Sequence, residues 1–422
     1  MRRTTLFHAV PGLVLLSLSV ACGGASDSGL YEGSGGDSAS GASGGDPAGA
    51  EGGVGTGAGG EGGEGGEGSG GEGDSEGSGG ETMAGQLTAG EWRDLDHWDF
   101  WVDLLQNEMW SEIAGAWKFT TTERYAVVVE SDGAHVADAS VTLLAGEQVV
   151  WSARTDVHGE AELFAGMFAA APAGPFALKV VAGGESVTAE GVLPASAEPI
   201  VVQLPGAAAP SQVLDLMFMI DTTGSMGDEL SYLQAELGDV IDRVRAGAGD
   251  GVQLRVSVNF YRDSGDEYVV RSFPFSEDVD AAIEDLNQQL ADGGGDWPEA
   301  VDAALVDAID NHAWSESAVA RLCFFVLDAP PHEGEQPLAQ VHEAVRGAAA
   351  KGVRVIPLAA SGTDKPLEFL LRQTAIATGG TYTFLTDHSG IGGSHLEPSI
   401  GEYQVEYLND MLVRLISAAL VD

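Results

Sequence analysis

The chain has 422 residues, with 65 Asp and Glu against 19 Lys and Arg, for a formal charge of −46. A surface that acidic repels phosphate backbones and anionic headgroups, which argues against nucleic acid and for cations or basic surfaces as partners. The length suits two or three domains with a sizeable core in at least one, and two cysteines are too few for a disulfide framework.

Residues 1–22, MRRTTLFHAVPGLVLLSLSVAC, begin with Arg2 and Arg3, run through an apolar stretch and end on small residues before Cys22. The apolar stretch is shorter than the roughly 20 residues a membrane span needs, and the pattern is that of an export signal. Leu18-Ser19-Val20-Ala21-Cys22 resembles the lipobox of bacterial lipoproteins, with Ser19 where that motif prefers leucine. The resemblance implies a cut before Cys22, lipid on its thiol, and an exported protein anchored at the cell envelope or surface. The other thiol, Cys323 in ARLCFFVLD, reads as a core residue.

Residues 23–90 consist mostly of Gly, Ser, Ala, Asp and Glu and contain no Lys or Arg. Such a segment buries too little to offset its ordering entropy and is expected to be a disordered acidic tether. As a random coil it spans roughly 45 Å. Residues 91–123 change abruptly, carrying five of the eight tryptophans. Trp98, Trp101, Val102, Leu105 and Met109 recur at helical spacing, predicting an amphipathic helix docked on the next domain. A sugar-stacking platform is the alternative use of such a stripe.

Residues 124–206 alternate in the strand manner, as RYAVVVES, ASVTLLAG, QVVWSART, GEAELFAG, FALKVVAG and PIVVQLPG, and predict a small all-β sandwich. TDVHGEAEL resembles the TD-x-x-G-x-A-x-L hairpin of transthyretin-like domains. In that resemblance Asp156 and Gly159 make the turn, Ala161 and Leu163 face the core, and the implied role is a spacer or interaction module.

From residue 210 to 422 the runs VLDLMFMI, QLRVSVNFY, ARLCFFVL and GVRVIPLAA are near-continuously apolar, as strands buried on both faces are. Helical stretches near 228–246, 277–291, 297–312, 336–351, 365–378 and 402–421 separate and follow them. The fold class is therefore α/β, a doubly wound and mostly parallel sheet preceded by the sandwich and the tether.

In such a sheet ligands sit outside the carboxyl ends of the strands, and DTTGSM occupies one of those ends. Asp221, Thr223 and Ser225 can turn one oxygen each toward a common point, and a carboxylate with two hydroxyls makes a hard oxygen set suited to Mg²⁺, with Mn²⁺ and Ca²⁺ as alternatives. Asp328 closes CFFVLD at a neighbouring strand end, and GGGDWPEA places Asp296 in a glycine-rich loop. Helix capping by Ser225 or Asp221 is the plainer explanation of DTTGS, yet capping does not require three separated carboxylates. His332, beside Asp328 in DAPPHEG, reads as shaping its loop.

From about Val213 onward the chain resembles a von Willebrand factor type A domain, with DTTGSM in the Asp-x-Thr-x-Ser form of the metal-ion-dependent adhesion motif. NFYRDSGDEYVVRSFPFSEDV, GGGDWPEAVDAAL and LDAPPH are similar to the hemicentin-like branch. The resemblance implies a cation held by Asp221, Thr223 and Ser225, with Asp328 acting in part through water. Asp296 stands where the broader family often supplies a threonine. The function so implied is non-enzymatic, metal-dependent adhesion to a partner protein's carboxylate. The alternatives are a structural envelope protein and, less favoured, a hydrolase, for which DTTGS has an inserted threonine and no second copy, and no G-x-S-x-G elbow stands among the strand ends.

Overall fold

The computed structural model of the chain describes residues 83–421, except 122, 195–197, 207, 208, 210, 248–250, 296 and the side chain at 228. The signal segment, Cys22, the tether up to residue 82 and Asp296 lie outside the described residues.

In chain order, β1 (Thr88–Trp92) is followed by the short helices α1 (Trp98–Leu104) and α2 (Glu108–Trp117). Next come β2 (Glu123–Ser131), β3 (Ala134–His135), β4 (Ser140–Ala145), β5 (Gln148–Arg154), β6 (Glu160–Ala165), β7 (Phe176–Ala182), β8 (Glu185–Val192) and β9 (Ile200–Gln203). The remainder runs β10 (Val213–Asp221), α3 (Gly227–Gly247), β11 (Gln253–Tyr261), β12 (Val270–Arg271), α4 (Val279–Asn287), α5 (Val301–Val306) and β13 (Ala320–Leu327). It ends with α6 (Glu335–Lys351), β14 (Val353–Ala359), α7 (Lys365–Thr378), β15 (Tyr382–Leu385), β16 (Glu406–Tyr407) and α8 (Leu408–Ala418).

The large sheet has the order β12-β11-β10-β13-β14-β15-β1-β16. Neighbours from β11 to β15 run parallel, whereas β12, β1 and β16 are antiparallel. Strand β10 shows why the apolar runs are continuous. Leu214, Leu216, Phe218 and Ile220 enter one core with α3, α4 and α8, while Met217 and Met219 enter the other with α5, α6 and α7. Helices on both faces of a parallel sheet give the doubly wound class read from the sequence. Cys323 is a buried free thiol, its ionisation pushed up to about 12 by burial.

Strand β1 precedes the sandwich in the sequence but completes the large sheet, paired antiparallel with β15 and β16. The reading of a disordered tether up to residue 90 is therefore corrected at its carboxyl end. The carboxylate of Glu236 on α3 accepts the backbone N–H groups of Gly85, Gln86 and Leu87 at 2.8, 2.7 and 3.0 Å, and Leu87 and Ala89 are buried. Gly90 hides the strand in the sequence and is required in the fold. A Cβ there would lie 2.6 Å from the Phe384 ring and 2.8 Å from Tyr403. Gly90→Ala is expected to cost about 1–3 kcal/mol of unfolding free energy through this overpacking, measurable by denaturant titration.

The single amphipathic helix expected within 91–123 is also corrected. Asn107 accepts a hydrogen bond from the Met109 N–H and starts a second helix after a break. The break changes the helical phase, so Val102 and Met109 are exposed while Trp101 and Trp110 are buried, both packed against Phe369 on α7. Of the expected stripe, Trp101 is core, Trp98 and Leu105 are partly buried against it, and Val102 and Met109 face solvent. Asp94, just after β1, grips Arg372 of α7 with two hydrogen bonds of 2.9 and 2.6 Å.

The sandwich consists of β3-β2-β6, with β9 parallel to β2, facing β5-β4-β7-β8. At its TDVHG turn the Asp156 Oδ1 accepts the N–H groups of His158 and Glu160. Gly159 has φ +70° and packs too closely on the Val129 carbonyl for any side chain. Ala161 and Leu163 are buried.

Candidate metal centre

Asp221 ends β10 and Asp328 immediately follows β13, its parallel neighbour. Parallel pairing brings both carboxylates to one rim, and both are buried. Asp221 Oδ1 accepts the Thr223 N–H at 2.8 Å and the Thr223 hydroxyl at 2.7 Å. The Thr223 and Ser225 hydroxyl oxygens lie 3.1 Å apart, and Ser225 is near enough to the Asp328 carboxylate to favour its charged form. The four side chains Asp221, Thr223, Ser225 and Asp328 thus form one connected cluster. The 3-10 turn at Gly224–Met226 has no side-chain cap.

A loop from the far side of α4 closes the cluster. Gly224 N–H donates to the Gly293 carbonyl at 3.2 Å and Asp292 N–H to the Thr222 carbonyl at 3.1 Å. This loop brings in Glu299, a carboxylate that sequence reasoning missed. Its backbone N–H donates to the Pro330 carbonyl, and its side chain is buried. From the side opposite Gly294's backbone, Glu299 Oε1 and Thr223 come within 3.0 and 3.4 Å of where a Cβ would stand. A signal was present in the sequence, since Glu299 shares GGGDWPEA with Asp296. The glycine-rich loop drew attention to the nearer acid.

Among the described residues, Asp221 Oδ2, Asp328 Oδ1 and Glu299 Oε2 are buried without a hydrogen-bond partner. Burial, reinforced by the neighbouring Asp328, pushes the Asp221 carboxyl up to about 7. Burial and the nearby Glu229 raise Asp328 to about 6, and burial with Asp221 beside it raises Glu299 to about 9. The Tyr261 hydroxyl is held well above its ordinary value by burial and by Asp221. Buried anionic oxygens without donors call for protons or a cation.

The donor chemistry fits a hard divalent ion: Asp221, Thr223 and Ser225 would hold it, with Asp328 behind Ser225. Among the described residues no three His, Cys, Asp or Glu side chains are grouped so as to hold a metal ion by themselves. Nearby, His332 Nε2 lies 2.6 Å from Asp263 Oδ1 and ties the loop after β13 to the loop after β11. Glu229 Oε1 lies 3.0 Å from His395 Nε2 and accepts the Ser361 N–H.

A doubly wound sheet with this rim defines the class of domain, and residues 215–390 match the family model for the von Willebrand factor A domain. Among curated proteins, an ariadne-like RING finger protein of Acanthamoeba polyphaga mimivirus is 31% identical over 123 residues, a match that spans 28% of this chain and 11% of that one. Among solved structures, the conserved hypothetical protein BatB from Bacteroides thetaiotaomicron is similar at 16% identity and a TM-score of 0.35, over 49% of this chain and 98% of that one.

Proposed function

We propose that this protein is a metal-dependent recognition module: Asp221, Thr223 and Ser225 hold a divalent cation, Mg²⁺ first, and a partner protein's carboxylate completes its coordination. The observation that carries the reading is the set of buried, unpartnered carboxylate oxygens on Asp221, Asp328 and Glu299 beside two hydroxyls. von Willebrand factor A domains serve protein interaction generally, which supports an adhesive role of the hemicentin-like kind. Asp296 remains part of the proposed ligand set in place of the threonine the broader family often supplies, completing the shell together with Asp328. The module carries no catalytic residues in this reading.

The proposed location is the cell envelope or surface, with lipid on Cys22 as anchor and the acidic tether as spacer. No helix among the described residues is long and apolar enough to cross a membrane.

Calorimetric titration of the full chain with Mg²⁺ tests the centre. The wild type is expected to show a saturable heat that Asp221→Ala removes, whatever weak binding the acidic tether contributes to both. Equal heats from the two proteins would refute the assignment.

A further inference from the structure

The loops around the cluster, 221–226, 263–267, 291–299, 328–334, 361–364 and 386–397, contain many acids and no Lys or Arg. The side chains of Glu267, Asp292 and Asp387 are 72%, 82% and 65% exposed. Flanking cations offset them only in part: Arg262 lies 3.9 Å from both Glu267 and Asp292, and Arg271 lies 3.4 Å from Glu267. Arg262 is buried, donates to the Leu290 carbonyl and lies over the Tyr268 ring. Lys365 is engaged by Glu368, the Glu397 carbonyl and Ser399. Asp221 and Asp328 together balance one divalent ion, and the exposed acids of these loops outnumber the flanking cations, so the face stays negative with the ion in place. A bare acidic partner is repelled by such a field, whereas a carboxylate carried next to a cation is matched to it.

One residue of this face suits that cation. Trp297 is 44% exposed, and its ring lies 3.7 Å from the point where a Cβ on Gly362 would stand, with Asp328 Cβ 3.9 Å from the same point. Lacking a side chain, Gly362 (φ +97°) lets the indole stand directly beside the cluster. Elsewhere Trp98, Trp101, Trp110 and Trp151 each have an arginine over the ring. Among the described residues Trp297 has none. An exposed indole in a negative field is a cation–π acceptor.

We propose that the partner is a basic protein surface presenting one carboxylate beside a lysine or arginine, and that the indole of Trp297 receives that cationic side chain while the carboxylate meets the ion. This rests on the metal-centre reading above, with three short peptides as probes: acetyl-Lys-Asp-Lys-amide, acetyl-Ala-Asp-Ala-amide and acetyl-Glu-Asp-Glu-amide. Each is titrated into the full chain in excess Mg²⁺, following the Trp297 indole N–H resonance, identified by its loss in Trp297→Phe, and the heat of binding. The lysine peptide is expected to bind about tenfold tighter than the alanine peptide, with the glutamate peptide weakest. In Trp297→Ala, followed by heat, the lysine peptide falls to near the alanine level while Mg²⁺ titration is unchanged. Equal binding of the lysine and alanine peptides, or an advantage that survives Trp297→Ala, overturns the inference and leaves the metal centre standing. Binding insensitive to chelator overturns both.

Discussion

Asp221→Asn is expected to stabilise the metal-free protein at pH 7.5 while abolishing its response to Mg²⁺. Asp221 is fully buried at the end of β10, and its carboxyl is raised from 3.8 to about 7 by burial and by Asp328. A carboxyl whose folded value lies above its unfolded one contributes stability below the unfolded value and loses it as pH rises through the folded value. Without metal, the wild type should therefore lose stability between about pH 4 and pH 7, with Glu299 extending the loss toward about 9. The amount traceable to Asp221 is on the order of a few kcal/mol. Asparagine removes the buried charge and keeps an acceptor for the Thr223 N–H, so its melting temperature in chelator should sit several degrees above wild type at pH 7.5 and close to it near pH 4.

The cation inverts this dependence, because the ion binds the charged form. Added Mg²⁺ should raise the wild-type melting temperature more at pH 8 than at pH 6, with protons released on binding. Asp221→Asn should show neither effect. A chelated wild type as stable at pH 7.5 as at pH 4.5, or a mutant that still responds to Mg²⁺, contradicts the account.

The second large effect lies far from the rim, in the contact that fastens residues 83–120 to the sheet domain. Arg372 is completely buried between Trp101 and Trp110, and Asp94 and Glu368 meet its guanidinium with the Ser399 carbonyl. Asp94 also accepts the indole N–H of Trp92 at 3.0 Å, linking β1 to α7. Removing one partner of a buried ion pair leaves the other charge desolvated, at a typical loss of about 3–5 kcal/mol. Asp94→Ala should lower the denaturation midpoint accordingly. Replacing Arg372 by methionine in the same chain should restore part of the loss, since an apolar pair of similar volume strands no charge. If the double variant is as unstable as the sum of the single ones, the coupling is wrong and Arg372 contributes mainly through packing against the tryptophans.

The amino-acid sequence by itself determined the doubly wound sheet, because strands buried on both faces are near-continuously apolar, and Val213–Asp221 and Ala320–Leu327 read that way apart from Asp215 and Arg321 near their starts and Asp221 at the rim. It also determined Asp221 and Asp328, since a polar residue ending such a strand falls on the ligand-bearing rim wherever the strand is placed. Only the tertiary structure decided that Thr88–Trp92 joins the large sheet. A five-residue strand containing Gly90 has no period to read, and its place depends on Phe384, Tyr403 and Glu236, which are remote in sequence. The same holds for Glu299, buried when its backbone pairs with the loop after β13, and for the exposure of Trp297 over Gly362. Periodicity records which face of an element avoids water; which distant loops meet above that element is set by long-range packing, and no local pattern encodes it.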